Sequence, residues 1–557
     1  MKNGFTILLL TTLALAACKK SGTAPAPPPP APASFSFMSL TVNGRYNGLN
    51  YFNIGATTTV RLSFSAPVDH ASVGNAVTLK TNAGVSASFT TSYANQDSVL
   101  ILQPSTPLQP ITKYILSVTT SLQSQAKGML QSDITVNLTT AIDSSDKFPR
   151  ISDSALLDLV QSGTLKYFWD FGHPTSGMAR ERNTSGDVVT TGGTGFGIMA
   201  MIAGIRRNFI SRSQGLSRVA QVVTFLTTKT TRYHGAFAHW INGATGATVP
   251  FSTQDDGGDI VETSYLMQGL LTARQYFNSG SDNAETQLRS DINTLWNAVD
   301  YGWYRQNGKN ILYWNWSPDF NWAVNVPVKG WNEALITYVL AASAATNPIP
   351  KSTYDSGWAG NGSMRNGGTY YNTVLPLGPA AGGPMFFSHY SFLGLDPNGL
   401  SDAYANYWTQ NNAHTLINYN YCVQNPQGYN GYSDQCWGLT ASDDNISGYG
   451  AHSPTSDPGV ISPTAAISSL PYTPTQSMNA LRFFYYKLGD KIWGQYGFMD
   501  AFNLTNIWFS GSWLAIDQGP QIVMIENYRS GLLWNLFMSC PEIQTGLQKL
   551  GFSSPHF

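Results

Sequence analysis

The hydrophobic period of this chain changes once, near residue 150, and that change limits the fold to two dissimilar parts. Upstream, Val60, Leu62 and Phe64 alternate with Arg61 and Ser63, the period of a half-buried strand. Downstream, Leu288, Ile292, Leu295, Trp296 and Val299 fall on one stripe, the period of an amphipathic helix. One packed layer cannot serve both patterns, so the chain reads as a β domain followed by a helical one.

In residues 35–142 the runs TTTVRLSFSAPV, AVTLKTN, SVLILQPS, KYILSVTT and DITVNLTT are short, β-branched and separated by Gly, Pro, Asn and Ser. About seven strands in such a length suggest a sandwich, and the segment resembles a bacterial Ig-like domain. It carries no carboxylate cluster, which favours a spacer or stabilising module over a carbohydrate-binding one.

Residues 143–150, DSSDKFPR, form a polar junction. In residues 150–557 the spacing predicts helices at 153–169, 196–210, 215–230, 260–277, 284–302, 330–345, 402–420 and 476–490. Between them run long stretches rich in Gly, Trp, Tyr and Asp, at 171–195, 231–259, 303–329 and 421–475. Loops of that length in a compact domain are usually functional. Helix pairs with long loops at one end fit an (α/α) barrel with a cleft at one rim.

Residues 1–17 read as a lipoprotein signal peptide. Lys2 is followed by the apolar run Ile7–Ala16 and by Leu15-Ala16-Ala17-Cys18. That ending resembles a bacterial lipobox, so Cys18 is the expected lipidation site. Residues 18–34 would then be a lipidated Cys and a proline-rich spacer. The expected location is the cell envelope, anchored by lipid to a membrane, the outer one by preference.

Charged residues make up 11% of the chain, against roughly 25% typically. Net charge is −1 without basic runs, which excludes a nucleic-acid footprint. Aromatics at 13% suit neutral, hydroxyl-rich ligands or an aromatic core. Of four cysteines, Cys422 and Cys436 could close a loop, with Cys540 buried. No metal-ligand spacing is visible.

Four carboxylates, Asp255, Asp256, Asp259 and Glu262, precede the apolar run Leu266, Leu270, Ala273, Phe277. Two readings are open. Glycoside hydrolysis needs a pair of carboxyl groups across the scissile bond. Alternatively, Asp259 and Glu262 are the N-cap and N3 acid of a capping box. Other candidates are softer. Trp303, Trp314, Trp316, Trp331 and Trp437 lie on or beside loops, where one or two would stack on sugar rings. His239-Trp240 and His389-Tyr390 are possible rim contacts. Glu526 and Arg529 would either pair on a helix face or bind hydroxyls. The GGTGFG run at 192–197 lacks a preceding strand and a following Lys, so helix packing suits it better than phosphate binding.

Six motifs in order add to this: YFWD at 167–170, ARER at 179–182, VTTGGTGFG at 189–197, GDIVETS at 258–264, CWGLTASD at 436–443 and IDQGPQIVMIENYRSGLLW at 516–534. Together they resemble the glucoamylase-like family that includes the β-1,2-glucanases of glycoside hydrolase family 144, from about residue 153 to 553. The resemblance implies an (α/α)6 barrel, no cofactor and inverting hydrolysis of a β-1,2-glucan, endo-acting or releasing sophorose. It places the general acid at Glu262. A helix N-terminus favours a carboxylate, so neighbouring acids and burial would have to keep Glu262 protonated. Asp187 and Glu181 are the candidate bases. Asp170, Arg180, Asp256, Asp259, His239, Trp240, Trp316, Trp331, Trp437, Glu526 and Arg529 are candidate substrate contacts. A monomer acting on an oligo- or polysaccharide is expected. The competing readings are a hydrolase of another glucan and an inactive glycan-binding lipoprotein.

Overall fold

The computed structural model describes residues 34–557. The expected signal peptide, Cys18 and nearly all of the proline-rich spacer lie outside the described residues. The chain divides into two compact units, the smaller within residues 34–138 and the larger taking in Thr139–Phe557.

The smaller unit has eight strands, where the sequence suggests about seven. They are β1 (Phe37–Val42), β2 (Asn50–Ile54), β3 (Val60–Phe64), β4 (Val77–Thr81), β5 (Phe89–Ala94), β6 (Val99–Pro104), β7 (Lys113–Val118) and β8 (Ile134–Thr140). One sheet runs β1-β3-β6-β5 and the other β2-β8-β7-β4. Val60 faces Leu102 and Leu62 faces Leu100 across β3 and β6. All four are buried, as alternation along half-buried strands requires. A short helix, α1 (His70–Ala76), is capped by Asp69.

The larger unit is helical. Its main elements are α2 (Asp153–Trp169), α3 (Thr191–Arg206), α4 (Arg212–Thr228), α5 (Ile260–Tyr276), α6 (Asn283–Asn297) and α7 (Leu335–Ser343). The short α8 (Lys351–Thr353) is followed by α9 (Tyr407–Gln424), α10 (Pro463–Ile467), α11 (Pro474–Ile492), α12 (Ala515–Ser530), α13 (Leu532–Met538) and α14 (Pro541–Leu550). Helices α3, α5 and α7 are buried on nearly every side, so they form the interior. α3 packs against both α5 and α12, and α5 against α7. α6 and α11 bury one stripe and face solvent with the other.

The glycine run at 192–197 lies inside α3, as close packing expects. A Cβ on Gly195 would sit 2.1 Å from the Tyr265 carbonyl, and one on Gly269 2.2 Å from the Gly195 carbonyl. The two backbones therefore touch. The junction 143–150 is not a loose linker. Lys147 N–H donates to the Tyr486 carbonyl at 2.7 Å, Phe148 stacks on Tyr485 at 4.6 Å and Asp146 pairs with Lys487. Cys422, Cys436 and Cys540 are all free and buried, so no Cys422–Cys436 bridge closes the loop between them.

Candidate active site

The backbone at the start of α5 separates the two roles open in the sequence. Asp259 is the N-cap: its Oδ1 accepts from the N–H groups of Val261 and Glu262, both at 2.9 Å. A capping box would send the Glu262 carboxylate back to the Asp259 N–H. That N–H donates instead to the Phe237 carbonyl. Glu262 turns away, and its Oε2 accepts from the Gly192 N–H in the first turn of α3 at 2.8 Å. The Thr190 hydroxyl gives it a second bond. The other Asp259 oxygen meets His239 Nδ1 at 2.9 Å.

Glu262 faces a cleft of about 330 Å³, lined by Glu181, Arg182, Thr190, His239, Trp240, Phe251, Glu262, Tyr390, Tyr449, Leu514 and Ile516. Strand pairing builds one wall: Trp240 lies opposite both Thr190 and Val249. Phe251 covers the His239 ring at 4.3 Å.

The buried charges in this cleft shift one another. Burial raises its carboxyl above the ordinary range, and Asp259 adds to the rise, against opposition from His239 and the Gly192 N–H. His239 is itself pushed up to about 9, because Glu262 and then Asp259 outweigh the burial that opposes its charge. Burial, then Asp259, pushes Asp255 up to about 6. Burial pushes Glu333, just before α7, up to about 7.

Opposite charges gather at Arg182. Its Nε bonds both Glu181 oxygens at 3.2 and 2.9 Å, and its Nη1 bonds Asp443 Oδ1 at 3.0 Å. Asp443 lies on the strand Ala441–Asp444. Its neighbours Ser442 and Asp444 both contact His452, at 3.2 and 3.3 Å, which ties down that hairpin.

The structure thus brings Glu262, Glu181, His239 and Trp240 to one cleft, with Asp259 beneath. It places the other candidates elsewhere. Asp187 is 59% exposed and pairs with the buried His173 at 3.2 Å. Asp170 is exposed at the end of α2. Arg180 stacks on Phe171 at 4.9 Å and bonds its carbonyl, so it staples its own loop. Asp256 lies half-buried in the turn before α5. Trp316 anchors the strand that pairs with Gly258–Asp259. Trp331 and Trp437 are core residues: Trp331 stacks on Tyr407, and Trp437 is fully buried, with its indole N–H on the Gln476 carbonyl. Glu526 is fully buried on a two-pronged bond to Arg207 at 2.7 and 2.9 Å. Arg529 bonds Asp158 and Gln161. Both acids and bases of that pair of sites hold helices together, because they sit at the C-terminal end of α12 while the cleft is at its N-terminal end. His389 is buried against Ser469.

Comparison with known proteins places the fold and the family. Residues 325–541 match the Glycoamylase family model, described as a glucoamylase, and residues 48–140 match a bacterial Ig-like domain. An endo-β-1,2-glucanase structure from Chitinophaga pinensis, with sophorotriose and glucose, is 51% identical at a TM-score of 0.71, covering 73% of this chain and 100% of that one. A β-1,2-glucanase structure from Parabacteroides distasonis is 38% identical at a TM-score of 0.70, covering 94% of this chain and 74% of that one. This chain belongs to the glucoamylase-like family. An exo β-1,2-glucooligosaccharide sophorohydrolase (non-reducing end) of Parabacteroides distasonis is 48% identical over 423 residues, which are 72% of this chain. The chain spans 58% of the length of that curated relative.

Within this family member, Asp443 joins the site through Arg182, and Glu333, outside the cleft lining, feels the charge of Glu262; neither is among the candidates drawn from the sequence. Glu333 had a signal: like Glu262, it is an acid at the mouth of an apolar run. Asp443 had none beyond its place in CWGLTASD, because its partner Arg182 lies 261 residues away.

Proposed function

We propose that the chain is a glycoside hydrolase acting on β-1,2-glucan, by an inverting mechanism with Glu262 as general acid and Glu181 as general base. One observation carries the reading. Glu262 is a buried carboxyl raised above its ordinary range in an aromatic-walled cleft, while a different acid, Asp259, does the capping. A general acid must keep its proton near the working pH, and burial with a neighbouring Asp moves Glu262 in that direction. In the reaction, Glu262 gives its proton to the glycosidic oxygen as the bond to the anomeric carbon breaks. Glu181 takes a proton from the water that attacks from the opposite face. Trp240, Phe251 and Tyr449 offer apolar faces for glucose rings.

The finer fold reading is an (α/α)6 barrel. Thr190 beside α3, Glu262 on α5, Leu514 and Ile516 at α12, and Tyr390 all line one cleft, which supports a ring of inner segments opening at one end. We also propose that Cys18 is lipidated and holds the enzyme, as a monomer, in the cell envelope. A Cys18→Ser variant should leave the membrane fraction with its activity intact; wild-type protein already soluble outside the cell overturns the anchor.

The substrate is tested by product analysis on linear β-1,2-, β-1,3-, β-1,4- and α-1,4-glucans. Sophorose alone marks exo action, and a ladder of oligomers marks endo action. Activity confined to another linkage overturns the assignment.

A further inference from the structure

A second group of buried acids lies behind Arg182, outside the chemistry assigned above. Asp500 and Asp517, the latter in the first turn of α12, are 1% and 2% exposed. Asp500 belongs to a closed ring of bonds. The Asp443 N–H donates to Asp500 Oδ2 at 2.7 Å, the Asp500 N–H donates to the Ser512 carbonyl at 2.9 Å and the Ser512 hydroxyl donates to Asp443 Oδ2 at 2.6 Å. The remaining oxygens, Asp500 Oδ1 and Asp517 Oδ2, are buried and receive no N–H or hydroxyl. The two carboxyl side chains come close enough to act on each other's charge, and no cation among the described residues is bonded to either.

We infer that Asp500 and Asp517 share one proton, and that this buried pair positions the Asp443–Arg182–Glu181 chain beside the cleft. The inference rests on Glu181 being part of the active site. Two buried carboxyl groups in contact, each with an oxygen that receives no donor, require a proton between them, since two ionised groups repel. Neither group has a Lys or Arg bonded to it, and leaving both ionised in the interior would cost far more than keeping one neutral. Burial raises both groups first; Asp443 adds to the rise of Asp500 while Asp517 lowers it, and Asp500 raises Asp517, which places the proton on Asp517. The groups facing the pair are Asp443 and Arg182, with Glu181 and the phenols of Tyr167, Tyr390 and Tyr449 around them. The phenols are held far above their ordinary range by burial first, so they stay neutral while the pair titrates.

The sign of the pH effect follows. A carboxyl raised in the folded state contributes stability below its unfolded pKa, and that contribution is lost as pH rises through the folded value. Asp517→Asn replaces the donor O–H with an amide N–H, leaves one titrating group and should flatten the fall of thermal midpoint with rising pH. It should also keep kcat on β-1,2-glucan within a few-fold of wild type, with the alkaline limb of the activity profile moved upward. Asp517→Ala leaves Asp500 buried without its donor and should lower kcat roughly tenfold or more with a smaller change in KM. Asp517→Asn tracking wild type in both pH profiles overturns the shared proton. Asp517→Asn as defective as Asp517→Ala does so too. Normal kcat in a folded Asp517→Ala overturns the positioning role. If Asp517→Ala does not fold, the Asn variant decides both points. Wild-type protein inactive on every glucan would refute the function, while the thermal arm would still decide the pair.

Discussion

The Gly192 amide meets the Glu262 carboxylate at 2.8 Å where no side chain fits between them. A Cβ on Gly192 would stand 2.4 Å from Glu262 Oε2 and 2.9 Å from the Tyr265 ring. Gly192→Ala should therefore move the carboxylate while α3 stays helical. A misplacement of about 1 Å can cost on the order of 100-fold, so kcat should fall by one to two orders of magnitude. Kinetics alongside thermal midpoint decide; unchanged turnover would mean the contact is incidental.

Glu262→Gln should lower kcat by about 10² to 10⁴, the usual contribution of a general acid. The thermal midpoint should barely move, because Asp259 holds the helix cap. A large loss of stability with near-normal turnover would return Glu262 to a structural role.

His239 predicts a pH dependence of its own. Its folded value of about 9 exceeds the ordinary 6.5. A raised histidine contributes stability that is complete below the unfolded value and is lost as pH rises through the folded one. Stability should decline between about pH 6.5 and 9, and His239→Gln should remove part of that slope. Calorimetry across this range checks it; parallel curves for variant and wild type would refute a charged His239 beside Glu262 and Asp259.

Glu526→Gln should cost about 3–5 kcal/mol, the usual price of stranding half of a buried ion pair, while activity per folded molecule is kept. Denaturant titration with kinetics on the same samples tests it. A raised KM without loss of stability would bring Glu526 back to the sugar.

Two tryptophans should behave oppositely. Trp437→Ala removes a fully buried indole and should cost about 3–5 kcal/mol without a specific effect on KM. Trp240→Ala, on the cleft wall, should raise KM at small cost in stability. Equal effects would dissolve the distinction between core and cleft.

Much of this architecture is legible from periodicity, and the misses have causes. The helix expected at 153–169 is found at Asp153–Trp169, because Ser152 caps it and an unbroken apolar pattern follows. α3 begins five residues earlier than expected, since its glycines argue against a helix until the contact with α5 is known. α12 hides behind Pro520 inside the helix. Strands β1, β2 and β5 lack the long β-branched runs of the others. At the site, Glu262 is legible as an acid at the mouth of a buried helix. Asp187 and Glu181 look alike as candidate bases in the sequence, because the contact that separates them, His173 on Asp187, comes from a residue 14 positions earlier. Trp331 and Trp437 mislead because a loop-flanking aromatic and a core aromatic look alike in sequence.

The free, buried cysteines give this chain an asymmetric response to damage. Burial holds the thiols of Cys422, Cys436 and Cys540 above their ordinary range, and a thiol that keeps its proton is a poor nucleophile. These three thiols are therefore poorly reactive toward oxidant while the fold is intact. Unfolding releases all three at once, with no native partner to receive them, so crosslinking competes with refolding. Heat inactivation in air then becomes a one-way event whose lifetime is set by the rate of opening rather than by the equilibrium between folded and unfolded forms.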